Sequence, residues 1–306
     1  MSLPQFAVLA HPEQDKEAWL EARRTHLTAS DIPAMLGLDP GKSPLQLYAE
    51  KLGLMPEKAD SDTLRWGLDQ EESVARFVGR KLNMVVHPSP GLVQNPVCPL
   101  IAATPDRILE DEEGNLYVLE IKTGKIRAVA DWEDGPPLRH KVQNQVQIAT
   151  LGLVHGMLAG ALGGNPPVMF RNERDEHFEE VCYTEADRFW DRVTNKRPPE
   201  ADGSASAARA IEAMYPNADG STVNLPLEAR LWTDAIEALD AEIKELDANR
   251  DKYKAMLKSE IGEATFGYLP PLVGGEPAVM WKFGTENRKE FTVAANSFRR
   301  LRRVKA

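Results

Sequence analysis

The sequence predicts a mixed α/β fold, with a central mixed sheet flanked by helices and followed by a C-terminal helical arm and a small hairpin. Two observations lead to this prediction. Up to about residue 200, segments with helical spacing of apolar residues alternate with short apolar runs that proline and glycine interrupt. Beyond that point, a highly charged segment of about forty residues keeps the helical spacing throughout.

The first part of the chain contains four predicted helices. Thr28 and Ser30 are candidate N-caps of the second helix, and the pair Ser43-Pro44 opens the third, because hydroxyl side chains and an early proline mark helix starts. The fourth helix is long and amphipathic. The predicted segments are residues 11–27, 28–38, 43–54 and 62–83.

A change of period then predicts the sheet. Residues 84–96, 99–111 and 115–125 are short apolar runs broken by proline and glycine. Helical spacing returns afterwards, and further strands and a helix follow it. The predicted segments are a helix in 136–156, two strands in 166–183 and a helix in 184–196.

A domain boundary is predicted at residue 200, where the composition becomes small, polar and proline-bearing. Residues 1–200 would form the main domain, and residues 201–306 an arm that serves assembly or contacts with other molecules. Within the arm, residues 225–264 predict a long solvent-facing helix or coiled coil, and residues 265–284 a hairpin. A basic tail ends the sequence.

Composition excludes several classes of protein. The chain has 306 residues, of which 42% are hydrophobic and 27% charged, so a sizeable core is expected. Its two cysteines, Cys98 and Cys182, argue against a disulfide framework or a four-cysteine cluster and suit a reducing cytoplasm. The sequence shows no signal-peptide pattern and no run long enough to span a membrane. The net charge of −10 argues against non-specific nucleic-acid binding. A protein with this net charge can still have a local basic groove.

The stretch "GNLYVLEIKTGK" carries an acid and a base two places apart, Glu120 and Lys122. Alternation along a strand puts both on one face, with the apolar residues between them on the other. Taken alone, such a pair is most simply an exposed salt bridge. Asp106 starts the preceding apolar run, so a hairpin of the two runs would bring Asp106 and Glu120 to one divalent cation, for which Mg²⁺ prefers oxygen ligands.

This constellation suits phosphodiester hydrolysis. A cation between the carboxylates would polarise a phosphate and lower the pKa of a bound water. Lys122 could orient that water or stabilise the negative charge that develops on phosphorus. Glu71, in the helical segment "WGLDQEE", could complete the cation's ligands. For Glu71 alone, a solvated helix charge is the simpler interpretation.

The order P-D, a spacer, then E-x-K is the signature of the PD-(D/E)XK nuclease superfamily. It stands here with three further motifs in order, from about residue 17 to residue 157. With them, the sequence resembles the phage lambda exonuclease and YqaJ-type viral recombinase family. The stretches that carry the resemblance are "RRTHLTASDIPAMLGLDPGKSPLQLYAEKLG", "RWGLDQEE", "AATPDRI", "LEIKT" and "QNQVQIATLG".

The resemblance implies a role for each matching residue. Lys122 matches the catalytic lysine, and Gln145 matches a glutamine on the helix after the core strands, with Gln143 and Gln147 as neighbours that could be confused with it. Arg107 departs from the family, which usually has glycine after the P-D step. The implied metal ligands are Asp106, Glu120, Glu71 and the main-chain carbonyl of Ile121.

A pocket for the 5′-phosphate of a DNA end is also implied by the resemblance. Arg23 and Ser30, together with Thr28 of the T-A-S step, match it. An arginine makes charge-assisted contacts to phosphate, and Ser30 with nearby helix N-terminal amides would supply further donors. Arg24 is an equal candidate on chemistry alone, but the spacing to the T-A-S step favours Arg23.

The implied activity is a Mg²⁺-dependent 5′→3′ exonuclease on double-stranded DNA ends, for which Mn²⁺ can substitute. Its 3′ overhangs would serve phage-type homologous recombination with a single-strand annealing protein, and relatives imply a ring-like homo-oligomer in the bacterial host cytoplasm. Two alternatives stay open. One is an endonuclease or a Cas4-like nuclease, although the absence of four cysteines disfavours the cluster-bearing form. The other is a non-catalytic scaffold that binds DNA ends.

Overall fold

The computed structural model describes residues 3–56, 61–269 and 280–285. The chain divides into two compact units, residues 1–216 and residues 217–306. The helices are α1 (Lys16–Thr25), α2 (Ile32–Met35), α3 (Pro44–Lys51), α4 (Asp62–Leu82), α5 (Leu138–Leu151), α6 (Glu176–Thr194), α7 (Ala205–Met214) and α8 (Ala229–Ile261). The strands are β1 (Val8–Ala10), β2 (Leu27–Thr28), β3 (Val85–Pro88), β4 (Leu92–Gln94), β5 (Ile101–Ala103), β6 (Arg107–Glu110), β7 (Leu116–Gly124), β8 (His155–Leu162), β9 (Val168–Glu173), β10 (Phe266–Tyr268) and β11 (Met280–Lys282).

The first unit contains a five-stranded mixed sheet in the order β3-β6-β7-β8-β9. The pairs β3–β6, β6–β7 and β8–β9 are antiparallel, whereas β7 and β8 run parallel. The parallel step requires a crossover, which α5 supplies. A smaller sheet, ordered β1-β4-β5-β2, lies in the same unit, and its β2–β5 pair is also parallel. The predicted mixed α/β fold is confirmed.

Strand β7 is at the centre of the core because helices cover both of its faces. Leu119 and Ile121 pack in a cluster with Val74 and Val78 of α4. On the other face, Val118 packs against residues of α5. The face that meets α5 is also the face of the predicted acid and base, since side chains alternate along a strand.

One predicted strand is wrong, and three strands, β1, β2 and β8, were not predicted. Residues 176–183 belong to α6, whose N-cap Asp175 accepts a hydrogen bond from the backbone N–H of Phe178. The unpredicted strand β8 has the sequence HGMLAGAL, in which small residues lack the β-branched signature of strands. Its small residues are needed, because a Cβ atom on Gly160 would lie 2.8 Å from the indole ring of Trp132.

The predicted capping of the second helix is also wrong. Thr28 lies in β2, and the N-cap of α2 is Asp31, which makes no capping hydrogen bond of its own. Instead, the Asp31 carboxylate accepts hydrogen bonds from the backbone N–H and the hydroxyl of Thr28, at 3.1 and 2.7 Å. Ser43 does cap α3 as predicted, by accepting a bond from the Gln46 N–H.

The first unit reaches residue 216, because α7 packs on α3. The Ser206 hydroxyl accepts a 2.8 Å bond from the Ser43 N–H and donates to the side-chain oxygen of Gln46, also at 2.8 Å. The sequence-based boundary at residue 200 stays a prediction. In the second unit, α8 and the antiparallel β10–β11 pair match the predicted helix and hairpin. The predicted turn at 270–279 and the basic tail lie outside the described residues.

Candidate active site

Strand pairing brings Asp106 beside Glu120. In the β6–β7 ladder, Arg107 is opposite Leu119, so the residues next to them in sequence face each other at the strand end. The Asp106 carboxylate accepts a 2.6 Å hydrogen bond from the backbone N–H of Ile121. This bond fixes one carboxylate oxygen against the strand that carries the E-x-K residues.

Glu120 is a buried acid, 2% exposed, whose two oxygens are held by three side chains. The Lys122 ammonium lies 2.6 Å from Oε1, which also accepts a 2.7 Å bond from Gln143. Gln147 donates to Oε2 and, at 3.3 Å, to the carbonyl of Thr104. Lys122 also donates to the side-chain oxygen of Gln143 at 3.0 Å. A closed network of acid, base and two amides therefore joins β7 to α5.

Gln145 is not part of this network. Its side chain donates to the carbonyl of Glu173 and accepts a 3.1 Å bond from the Asp175 N–H. Positions 143 and 147 are four residues apart on a helix and share one face, whereas position 145 points away from it. The structure thus brings Gln143 and Gln147, and not the predicted Gln145, to Glu120.

The carboxylates influence one another electrostatically. Burial raises the pKa of Asp106 well above its usual range, and the nearby Glu120 and Glu71 raise it further. Burial also raises the pKa of Glu71, and Glu120 adds to that shift while Arg107 and Lys122 oppose it. Burial alone would lower the pKa of Lys122, but Glu120, Asp106 and Glu71 together raise it, so the amine stays protonated.

A divalent cation suits this set of donors. Glu120 and Glu71 are near enough to Asp106 to raise its pKa, and a hard cation with oxygen ligands would stabilise these carboxylates in their charged form. Among the described residues, no three acidic, histidine or cysteine side chains already converge in a metal-binding arrangement. Glu120 is instead bonded to Lys122 and the two glutamines, so metal binding would require part of this network to rearrange.

Arg107 directly follows Asp106 in the P-D turn. Its guanidinium donates to the carbonyl of Asp106 at 2.6 Å and to the Glu72 carboxylate at 3.0 Å. Glu72 is the neighbour of Glu71 on α4. Arg107 therefore ties the P-D turn to the helix that presents Glu71, and it occupies the edge of the site without entering the Glu120 network.

The residues of the predicted phosphate pocket lie close together where α1 meets the loop after β2. Arg23 lies 3.5 Å from the Ser30 hydroxyl and stacks on the ring of Trp19, 4.7 Å from its centre. The Thr28 and Ser30 hydroxyls are 3.0 Å apart. Arg24 is turned away and pairs with Glu21 at 2.8 Å on the exposed side of α1. The geometry separates the two arginines that chemistry alone left equal.

Asp31 and two lysines support this pocket, and sequence reasoning missed all three. Asp31 pairs with Lys51 at 2.7 Å and with Lys42 at 2.9 Å. Although burial raises the pKa of Asp31, the two lysines and Arg23 lower it far more, so it stays ionised. Lys51 also donates to the carbonyls of Arg23 and His26, which fixes the end of α1. In the sequence, the only signal for this pairing is Asp31 itself, an acid between the T-A-S and I-P steps.

The pocket and the acid cluster lie at the same edge of the smaller sheet. Strands β2 and β5 are parallel, with Thr28 opposite Ala102, so their carboxyl ends coincide. Ser30 follows the end of β2, and the turn that carries Asp106 follows the end of β5. The two predicted sites are therefore neighbours in the fold, although Ser30 and Asp106 are 76 residues apart in sequence.

The fold and the site resemble those of a known class of protein. A mixed sheet whose adjacent antiparallel strands place a P-D acid beside an E-x-K pair is similar to the core of the PD-(D/E)XK nucleases. Residues 18–153 match the model of the YqaJ-like viral recombinase domain. That part of the chain therefore resembles the YqaJ-like viral recombinase family.

Known proteins resemble the chain over larger stretches. The uncharacterized protein YqaJ of Bacillus subtilis (strain 168) is 26% identical over 295 residues, which cover 94% of this chain and 90% of that protein. The crystal structure of an alkaline exonuclease, LHK-Exo from Laribacter hongkongensis, is 19% identical with a TM-score of 0.47, and the match covers 59% of this chain and 93% of that one. The structure of LHK-Exo with dAMP gives 21% identity and a TM-score of 0.48 over the same shares.

Proposed function

We propose that the chain is a Mg²⁺-dependent exonuclease that degrades the 5′ strand from double-stranded DNA ends and leaves 3′ overhangs for phage-type recombination. One observation carries the hydrolytic part of this proposal. The Asp106 carboxylate is held against the Ile121 N–H, on the strand that carries the buried Glu120 with the Lys122 ammonium 2.6 Å from it. Phosphodiester hydrolysis requires this combination of acids and base, whereas a purely structural ion pair does not require it.

The residues of the chain divide the chemistry between them. A bound Mg²⁺ would supply a polarised phosphate and an acidified water. Asp106, Glu120, Glu71 and the carbonyl of Ile121 are the proposed ligands. Lys122, protonated and 2.6 Å from Glu120, would donate to the phosphate oxygen that gains charge as the bond to phosphorus forms. Gln143 and Gln147 would keep the Glu120 carboxylate oriented.

Polarity is proposed from the phosphate pocket. At the sheet edge that also carries Asp106, the Ser30 hydroxyl lies 3.5 Å from the Arg23 guanidinium and 3.0 Å from the Thr28 hydroxyl. A terminal 5′-phosphate bound there would place the next phosphodiester toward the acid cluster. A terminal 3′-hydroxyl has no charge for Arg23 to recognise, so degradation would begin at the 5′ end.

The family resemblance supports further parts of the proposal. A single-strand annealing protein would receive the 3′ overhang, and a closed homo-oligomer would hold the duplex in the cytoplasm of a bacterial host. Mn²⁺ is expected to replace Mg²⁺, because both accept oxygen ligands in octahedral geometry. These statements concern partners and conditions, and the test of the chemistry does not depend on them.

A linear duplex labelled at one 5′ end tests the function, with Mg²⁺ or with EDTA. Wild type should release labelled nucleotides only with Mg²⁺, and both Glu120→Gln and Lys122→Met should lose at least about 10²-fold in rate. A covalently closed circular duplex serves as the second substrate. Cleavage of the circle at a comparable rate would favour an endonuclease over an exonuclease.

Binding is measured in parallel to separate catalysis from scaffolding. Gel mobility of the same duplex with EDTA should show that Glu120→Gln still binds, since the substitution keeps the side-chain size. If wild type binds the duplex and cuts neither substrate with Mg²⁺ or Mn²⁺, the hydrolytic proposal fails. The non-catalytic end-binding scaffold would then be the function that the site supports.

A further inference from the structure

Helix α8 carries a stripe of large apolar side chains that face solvent. Over 33 residues, only Ala229 is buried. The exposed members lie between Trp232, 60% exposed, and Tyr253, 63% exposed. The remaining members of the stripe are Ile236, Leu239, Ile243 and Leu246. Side chains of this size are normally covered when they recur along one face of a helix.

The spacing of the stripe alternates between four and three residues. From Trp232 it passes through positions 236, 239, 243, 246, 250 and 253 and reaches Leu257. This is the heptad pattern of a coiled-coil seam, with a mean period of 3.5 residues and not the 3.6 of a helix that lies on a globular core. Arg250 is the single charged residue within it, and it pairs with Asp247 of its own helix at 2.9 Å.

The charges of α8 are separated along its length. Residues 234–247 carry six acids and one lysine, a net charge of −5. Residues 250–258 carry four basic residues and one acid, a net charge of +3. A helix with an acidic first half and a basic second half is complementary to itself in the reverse direction. The same helix laid parallel to itself would set acid against acid and Arg250 against Arg250.

We propose that α8 pairs with α8 of a second copy of this chain in an antiparallel coiled coil. The acidic half of each copy lies against the basic half of the other. In the register that sets Asp240 beside Lys254 of the second copy, Leu239 faces Leu257 and Ile243 faces Tyr253. Arg250 then faces Leu246, where Asp247 of its own helix neutralises the guanidinium. In this register the pairing covers the stripe from Leu239 to Leu257.

Site-directed cross-linking in the full chain tests both the partner and the direction. Leu239→Cys and Leu257→Cys variants are purified separately, mixed, and oxidised at low micromolar concentration. A disulfide-linked dimer should form in the mixture and be absent from either variant alone, because each new cysteine faces only the other position. Wild type is the control for Cys98 and Cys182, which are buried.

The outcome decides the proposal in every case. A dimer from Leu239→Cys alone would show parallel pairing and overturn the antiparallel arrangement. No dimer in the mixture would show that the stripe is covered by something other than a second α8. Adding Ile243→Lys to both variants should abolish the cross-link, whereas Ala241→Lys, on the opposite face of the same helix, should leave it intact. Circular dichroism should show equal helix content in the two lysine variants.

Discussion

At the residue scale, the two faces of α5 give a sharp test of the site. Gln143 bonds to both Glu120 and Lys122, whereas Gln145 bonds to the backbone around Glu173. We expect Gln143→Ala to lower kcat by about 10²-fold, because it frees the acid and the base that it orients. Gln145→Ala should change kcat less than about threefold. Steady-state hydrolysis of the labelled duplex measures both.

The result also discriminates between Gln145, which the family resemblance selects, and Gln143, which the hydrogen bonds of the structure select. If Gln145→Ala lost the activity and Gln143→Ala kept it, the helix would present a different face to β7 in the working enzyme. Equal folding of the two variants, checked by urea unfolding, is needed for this comparison.

Asp31 is the residue whose loss should cost the most stability outside the apolar core. Its carboxylate compensates Lys51, whose side chain is 5% exposed, at 2.7 Å. Asp31→Asn should lower the free energy of unfolding by about 3–5 kcal/mol, because it leaves a buried ammonium without its counter-charge. Glu21→Gln, which breaks an exposed pair with Arg24, should cost less than about 1 kcal/mol. Urea denaturation at neutral pH measures the difference.

The same carboxylate predicts a pH dependence. The pKa of Asp31 is lowered in the folded state, so its stabilising contribution is complete above its unfolded pKa of about 3.9 and is lost as the pH falls below that value. The stability gap between wild type and Asp31→Asn should therefore be constant from pH 5 upward, to within about 0.5 kcal/mol, and should shrink on further acidification. A gap that widened in acid would contradict the assigned charge state.

At the element scale, the packing of α4 on β3 depends on one glycine. A Cβ atom on Gly79 would lie 2.5 Å from a methyl of Val86 and 3.0 Å from the carbonyl of Met84. Helix propensity favours alanine by about 1 kcal/mol at such a position. We expect the steric clash to outweigh this gain in helix propensity, so that Gly79→Ala destabilises the protein by about 1–3 kcal/mol.

A double-mutant cycle tests that reasoning. Val86→Ala removes the methyl that the new Cβ would meet, so Gly79→Ala should cost measurably less in the Val86→Ala background. Thermal unfolding of the four proteins gives the coupling. Strict additivity would mean that the Met84 carbonyl, and not Val86, causes the strain.

How far the sequence predicts these elements follows from the strength of each local signal. The hairpin that joins Asp106 to Glu120 is predictable, because two apolar runs with period two flank a turn. Strand β8 is not, since its glycines and alanines are needed only where Trp132 and α5 approach it. The choice among three glutamines of α5 depends on the helix phase relative to β7, which tertiary packing sets. Asp31 is a helix-start acid by pattern, and its ionic role requires two lysines that are eleven and twenty residues distant.

At the scale of the whole molecule, the proposed polarity depends on Arg23 and not on Arg24. Arg23→Ala should abolish the preference for a 5′-phosphorylated end over a 5′-hydroxyl end while residual Mg²⁺-dependent cleavage continues. Arg24→Ala is the matched control and should keep the preference, because its guanidinium pairs with Glu21 on the exposed side. Competition between the two duplexes, labelled with different dyes, measures the ratio directly. Loss of the preference in both variants would place the phosphate elsewhere.

On the proposed function, the shared edge of β2 and β5 sets the distance between the bound 5′ end of the DNA and the bond that is cleaved. Ser30 follows one strand and Asp106 follows its parallel neighbour, so the distance from the bound end to the cleaved bond is fixed by the short turn of residues 104–106. The size of the released product is then a property of that turn and of the Gln147 contact to Thr104 that holds it. A nuclease built on this plan would change its step length by altering Thr104 and Pro105, without any change to the groups that perform the cleavage.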